Sequence, residues 1–204
     1  MTPGQPENSA SYGVLIAAFG LLGGCAEPVT PATGPAPAVE AQAAVSCRDD
    51  GLGSVQGALF GSLDMPVDWG NDGLTCDGMP RPGERGARLR FAHKITPHDS
   101  RLVLIIGIDS LAPGETGNGF SATVTLIDER DSAFYSNQGV DNCWVDISEQ
   151  RMADDGETGV HGVLYCSGAL ARQQGDGAVT LGEIRFGGRM DWTPPPASLG
   201  NTPS

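Results

Sequence analysis

Two stretches of this 204-residue chain keep the two-residue rhythm of β-strands, and no segment carries a convincing helical stripe. In "ARLRFA" (87–92), Leu89 and Phe91 alternate with Arg88 and Arg90, as in a strand with one wet face. In "FSATVTLID" (120–128), Phe120, Ala122, Val124 and Leu126 alternate with Ser121, Thr123 and Thr125. A third, "RLVLIIGI" (101–108), is apolar throughout, which predicts a central strand buried on both faces. Shorter strands are predicted at 55–62, 133–136, 143–148 and 160–167. Along 179–190, Val179 and Leu181 share one parity while Ile184, Phe186 and Met190 share the other, so a β-bulge is predicted at Gly182. The connections, among them "WGNDG", "MPRPGERG", "LAPGETGNG" and "QQGDG", are rich in Gly, Asp, Asn and Pro. About eight short strands at this spacing predict an all-β fold, an antiparallel β-sandwich or small barrel.

Cysteines constrain this fold further. Of five, Cys25 lies far upstream, leaving Cys47, Cys76, Cys143 and Cys166. An even number in an exported domain predicts disulfides. Three pairings are open, and proximity along the chain favours Cys47–Cys76 and Cys143–Cys166. Zinc is the alternative use of these thiols, but no CxxC or close Cys/His spacing supports it. If Cys143 and Cys166 oppose each other on antiparallel strands, Val145 meets Leu164 and Ile147 meets Gly162 on the cysteine face. Trp144 then meets Tyr165, Asp146 meets Val163 and Ser148 meets His161 on the opposite face.

The start of the chain reads as an address. Val14 to Gly24 is an apolar run of eleven residues. That is shorter than the roughly 20 needed to span a bilayer, and it matches the apolar region of a secretory signal. Its end, Leu22-Gly23-Gly24-Cys25, resembles the lipobox of bacterial lipoproteins. The resemblance implies cleavage before Cys25 and acylation of its thiol, with residues 1–24 as signal peptide. It departs from the usual pattern in that Met1 to Gly13 contains no Lys or Arg. Ala26 after the cysteine resembles an outer-membrane sorting choice, facing the periplasm or the cell surface. Residues 25–46 are Pro/Ala-rich with almost no large apolar side chain, and read as a tether. Residues 47–192 are the folded domain, and they resemble the small two-disulfide domains carried on such lipoproteins. Residues 193–204 read as a disordered tail.

The net charge of −13 argues against nucleic acid and against charge-driven binding to anionic lipid. The expected partners are the membrane, through the anchor, and an envelope protein or glycan.

No motif points to a reaction. Gly119-Phe120-Ser121-Ala122-Thr123 lacks the second glycine of GxSxG and has no following helix, so Ser121 reads as an outward strand serine. HExxH is absent, and His93 and His98 read as loop residues. The carboxylates of "DERD" (128–131) read as a turn; those at Asp154, Asp155 and Glu157 lie in a glycine-containing loop without EF-hand spacing. No phosphate loop or dinucleotide fingerprint is present, so no cofactor, catalytic residue or metal ligand is assigned. Trp69, Trp144 and Trp192 are candidate core anchors. Alternatively, Trp144 and Tyr165, with His161 nearby, form an exposed platform for a sugar ring or a partner side chain. The expected function is therefore that of a lipid-anchored, non-catalytic binding module. A carboxylate-pair hydrolase of envelope polymer and a calcium- or carbohydrate-binding accessory domain are the alternatives.

Overall fold

In the computed structural model, residues 46–81, 85–95, 100–153 and 156–193 are described. The predicted signal peptide 1–24, Cys25, the predicted tether 25–46 apart from Ser46, the predicted tail 193–204 apart from Thr193, His98, Asp154 and Asp155 lie outside the described residues. The chain divides into two compact units, Met1–Glu40 and Ala41–Ser204, and every described residue belongs to the second.

Among the described residues there are twelve strands and no helix. They are β1 (Ser54–Gly61), β2 (Met65–Gly70), β3 (Leu74–Pro80), β4 (Gly86–Ile95), β5 (Ser100–Asp109) and β6 (Gly117–Asp128). There follow β7 (Ala133–Ser136), β8 (Cys143–Met152), β9 (Thr158–Cys166), β10 (Leu170–Arg172), β11 (Ala178–Leu181) and β12 (Ile184–Met190). All pairings are antiparallel. The all-β expectation holds, with more strands than the sequence pattern predicts. β2, β3 and β10 carry no clear signal because "MPVDWG" and "LTCDGMP" contain Pro, Gly and Asp, which strands disfavour, and "LAR" is only three residues long.

A nine-strand run leads β2–β1–β12–β9–β8–β6–β5–β4–β3. Its two free ends, β2 and β3, are consecutive in sequence. A second run, β11–β10–β7, joins the remaining halves of β1 and β6 and closes the pairing into a circuit. The inward faces pack into one core; Phe91 of β4 meets Phe186 of β12 with ring centroids 5.7 Å apart. Leu102, Leu104, Ile106 and Ile108 of β5 are buried in it; on the other face Val103 is buried as well, while Ile105 and Gly107 are half-buried, so β5 is covered fully on one face and in part on the other.

Two register slips shape the sheet. β1 pairs Leu59 with Leu181 but Val55 with Phe186, so the β11–β12 side carries one extra residue around Gly182, in agreement with the parity change. Gly182 N–H donates to Ala58 O at 2.8 Å within this bulge. On β8 and β9 the predicted register holds from Cys143–Cys166 through Ile147–Gly162. It then shifts at Ser148, and Glu149, not Ser148, faces His161. A bulged residue leaves no periodic mark in so short a stretch. Both favoured disulfides are present: Cys143–Cys166 across β8 and β9, and Cys47–Cys76 tying the residues before β1 to β3.

β6 is shared between the two runs. Its outer edge pairs β8 through Phe120 and Ser121, and β7 through Thr125 to Asp128. In the gap between them, the Asn137 side chain substitutes for a strand. Its Oδ1 accepts Val124 N–H at 2.7 Å, and its Nδ2 donates to Ala122 O at 3.1 Å. Ser136 Oγ adds a bond to Val124 O at 2.8 Å.

Candidate functional site

Successive side chains of a strand point to opposite faces, so the register alone decides which residues share the outer face of β6, β8 and β9. Ser121 pairs with Trp144 and Trp144 with Tyr165, forming one row across the three strands. The Trp144 and Tyr165 rings stack with centroids 6.0 Å apart and planes 29° from parallel. Tyr165 is 37% exposed and Trp144 is half-buried.

Two carboxylates flank the rings. Asp146 accepts Gly119 N–H at 2.7 Å and the Tyr165 hydroxyl at 3.4 Å. Asp141 accepts the Ser121 hydroxyl at 2.5 Å. Neither carboxylate has an ion-pair partner among the described residues. Loss of solvent around the phenol, then the nearby Asp146 charge, holds the Tyr165 hydroxyl above its usual pKa, so it stays a donor at neutral pH.

His161 lies on the same face as Tyr165 but four residues along β9, about 13 Å away at the usual strand rise. Its ring turns to the segment before β1. Its Nε2 lies 3.2 Å from Arg48 Nη1, and since arginine only donates, that nitrogen is the acceptor. Arg48 is 8% exposed; it also pairs with Asp50 and donates to Gly188 O at 3.2 Å. It can lie flat on the sheet because Gly159 is beneath it, where any Cβ would collide with the guanidinium. Sequence reading misses this cluster because its partners are 113 and 140 residues from Arg48. The outward glycines of β9 and β12 are the available signal.

The other aromatic and histidine candidates divide. Trp69 is buried, and its ring stacks on His93 with centroids 5.3 Å apart. His93 is therefore a β4 residue, not a loop residue, because β4 runs past Phe91 to Ile95. Its buried Nδ1 has no hydrogen-bond partner, and burial holds its pKa below the ordinary value. Trp192 packs partly against the core and donates its Nε1–H to Gln150 Oε1 at 3.1 Å. The outward Ser121 agrees with the strand reading. In "DERD", Asp128 is the last residue of β6, fully buried against Arg130, and residues 129–131 form the turn.

Among the described residues, no group of three or more His, Cys, Asp or Glu side chains is placed to hold a metal ion. One further concavity opens on the outer face of β6, β7 and β10. It is a groove of about 350 Å³ beside Phe134, which is 46% exposed, with Thr125, Gln138, Arg172 and Gln173 around it. No family model matches the chain significantly, nor does any curated protein or solved structure.

Proposed function

We propose that this chain is a lipid-anchored lipoprotein of the bacterial cell envelope, held in the outer membrane through Cys25, whose folded domain is a non-catalytic binding module. Support for export comes from the two disulfides, which point to an oxidising, extracytoplasmic location. Support for the anchor comes from the leader ending in Leu22-Gly23-Gly24-Cys25. Acyl chains on that thiol contribute about 0.8 kcal/mol per buried CH₂, and two or more chains anchor stably.

The observation that carries the binding reading is the stacked Trp144–Tyr165 pair at the surface, bracketed by Asp141 and Asp146. Both carboxylates have oxygen lone pairs left for an outside donor, and the rings supply an apolar face beside them. That combination suits an envelope glycan or a partner side chain bearing N–H or O–H groups.

Two measurements, one on the native product and one on soluble C25S protein, test the proposal. Mass spectrometry of the membrane fraction should find an acylated Cys25 as the first residue, and C25S should move the protein to the soluble fraction. Soluble C25S protein should be retained on isolated envelope material, and the W144A/Y165A double variant should not. Intact residues 1–24 on the native protein would remove the anchor; equal retention of both proteins would remove the platform.

A further inference from the structure

The platform and the Phe134 groove lie on one face of the same strand. Trp144 is the neighbour of Ser121, and Phe134 is the neighbour of Ile127, both across the outer edge of β6. Ser121 and Ile127 have the same parity, so both aromatic side chains point outward. Six residues separate the two rows, about 20 Å at roughly 3.3 Å per residue. Between them the floor is Thr123, exposed, and Thr125, half-buried. The 137–142 connection, which joins β7 to β8, runs beside that floor. It contributes Gln138 to the Phe134 groove and Asp141 to the platform. The Asn137 side chain seals the backbone edge of β6 beneath it.

We propose that these features form a single extended site for a linear, hydroxyl-rich glycan chain, with Trp144–Tyr165 at one end and Phe134 at the other. This rests on the binding reading of the platform and extends it. Several observations favour a glycan over a protein surface. The floor between the aromatics is hydroxyl and amide, which matches a polyol at each step; the middle of a protein interface is apolar. Carboxylates at the platform end accept from sugar hydroxyls. At the other end Arg172, which forms no ion pair among the described residues, and Gln138 donate to ring and glycosidic oxygens. Hydrogen-bonding capacity, acceptors at one end and donors at the other, is thus complementary to a chain that both donates and accepts along its length. Two exposed rings far apart on one face provide stacking surfaces for two separated sugars.

The test is a titration of the full chain, made soluble by C25S, with chitin oligomers from disaccharide to hexasaccharide and with glycan strands freed of peptide from bacterial cell wall. Affinity should rise with length until the oligomer reaches Phe134. F134A should lower the affinity of the longest oligomer about tenfold, roughly 1.4 kcal/mol, and leave the disaccharide unchanged. T123R, which blocks the middle of the floor and leaves both aromatic ends in place, should do the same. W144A should weaken every length. Unchanged unfolding temperatures for F134A and T123R exclude misfolding as the cause. If affinity is independent of length while W144A still abolishes binding, the extended site is wrong and the platform reading stands. If no oligomer binds, the glycan proposal is wrong; envelope retention that still depends on Trp144 would then assign the platform to a protein partner.

Discussion

The Asn137 carboxamide accepts the backbone N–H of Val124 at 2.7 Å, thirteen residues upstream, from within the protein interior. Its Nδ2, with two hydrogens, lies 3.1 Å from each of Ala122 O, Val140 O and Asn142 Oδ1, so both N–H groups have acceptors within reach. It does for β6 what a strand would do where β7 has ended and β8 has not begun. Replacing it with Ala leaves a buried N–H and a buried C=O without partners, each costing about 1–3 kcal/mol. N137A should therefore lose about 2–6 kcal/mol in denaturant unfolding. N137D should also be destabilised, because the carboxylate cannot donate to Ala122 O.

Gly187 marks where the segment before β1 crosses β12. A Cβ there would come within 2.6 Å of Leu52 O and 2.9 Å of His161 Cε1. G187A should cost about 1–3 kcal/mol, the range for overpacking. It should also raise amide exchange across residues 48–53 more than in β5. Uniform exchange changes would show that the segment is not specifically displaced.

His93 makes stability depend on pH. Burial lowers its pKa from the ordinary 6.5, so the unfolded chain takes up this proton before the folded one. Stability is thus full above about pH 6.5 and falls as pH drops below it, until the folded imidazole also protonates. H93F keeps a ring against Trp69 and removes the titrating nitrogen. The melting temperature of wild type should fall between about pH 7.5 and about pH 5, and that of H93F should fall less.

Asp128 acts further into acid. The Arg130 guanidinium beside it, by hydrogen bonds of 2.7 and 3.0 Å, holds its carboxyl below the ordinary 3.8. Its contribution is present above pH 3.8 and is lost as pH falls through the depressed folded value. D128N should be destabilised by about 1–3 kcal/mol at neutral pH and should lose less stability than wild type on acidification.

What can be read from the residues divides along physical lines. The 120–128 strand is legible because it alternates with one buried face, and the β8–β9 register because a disulfide between opposed residues leaves one alignment. The partner of His161 is not, since one extra residue changes every later pairing without altering local composition. The faint signal of β2 and β3 has two causes: Pro66 is tolerated because β2 is an end strand of the nine-strand run, and position 78 must be glycine because a Cβ there would lie 2.4 Å from Arg189 O. Of the site, the Trp144–Tyr165 pair follows from the register. The groove beside Phe134 does not, because β7 is short and Arg172 and Gln173, which complete the groove, come from β10 and the residue after it, distant in sequence.

The Cys47–Cys76 bond sits where the described chain enters the domain, and it leads to β3 rather than to the strand that follows. Tension applied upstream of Cys47 is therefore carried sideways through sulfur into β3. The ladder that β1 makes with β2, β11 and β12 is spared from peeling. Under the proposed anchoring, a pull from upstream of Cys47 bears on that sulfur bond before it bears on β1, so reducing the bond exposes the β1 ladder to peeling.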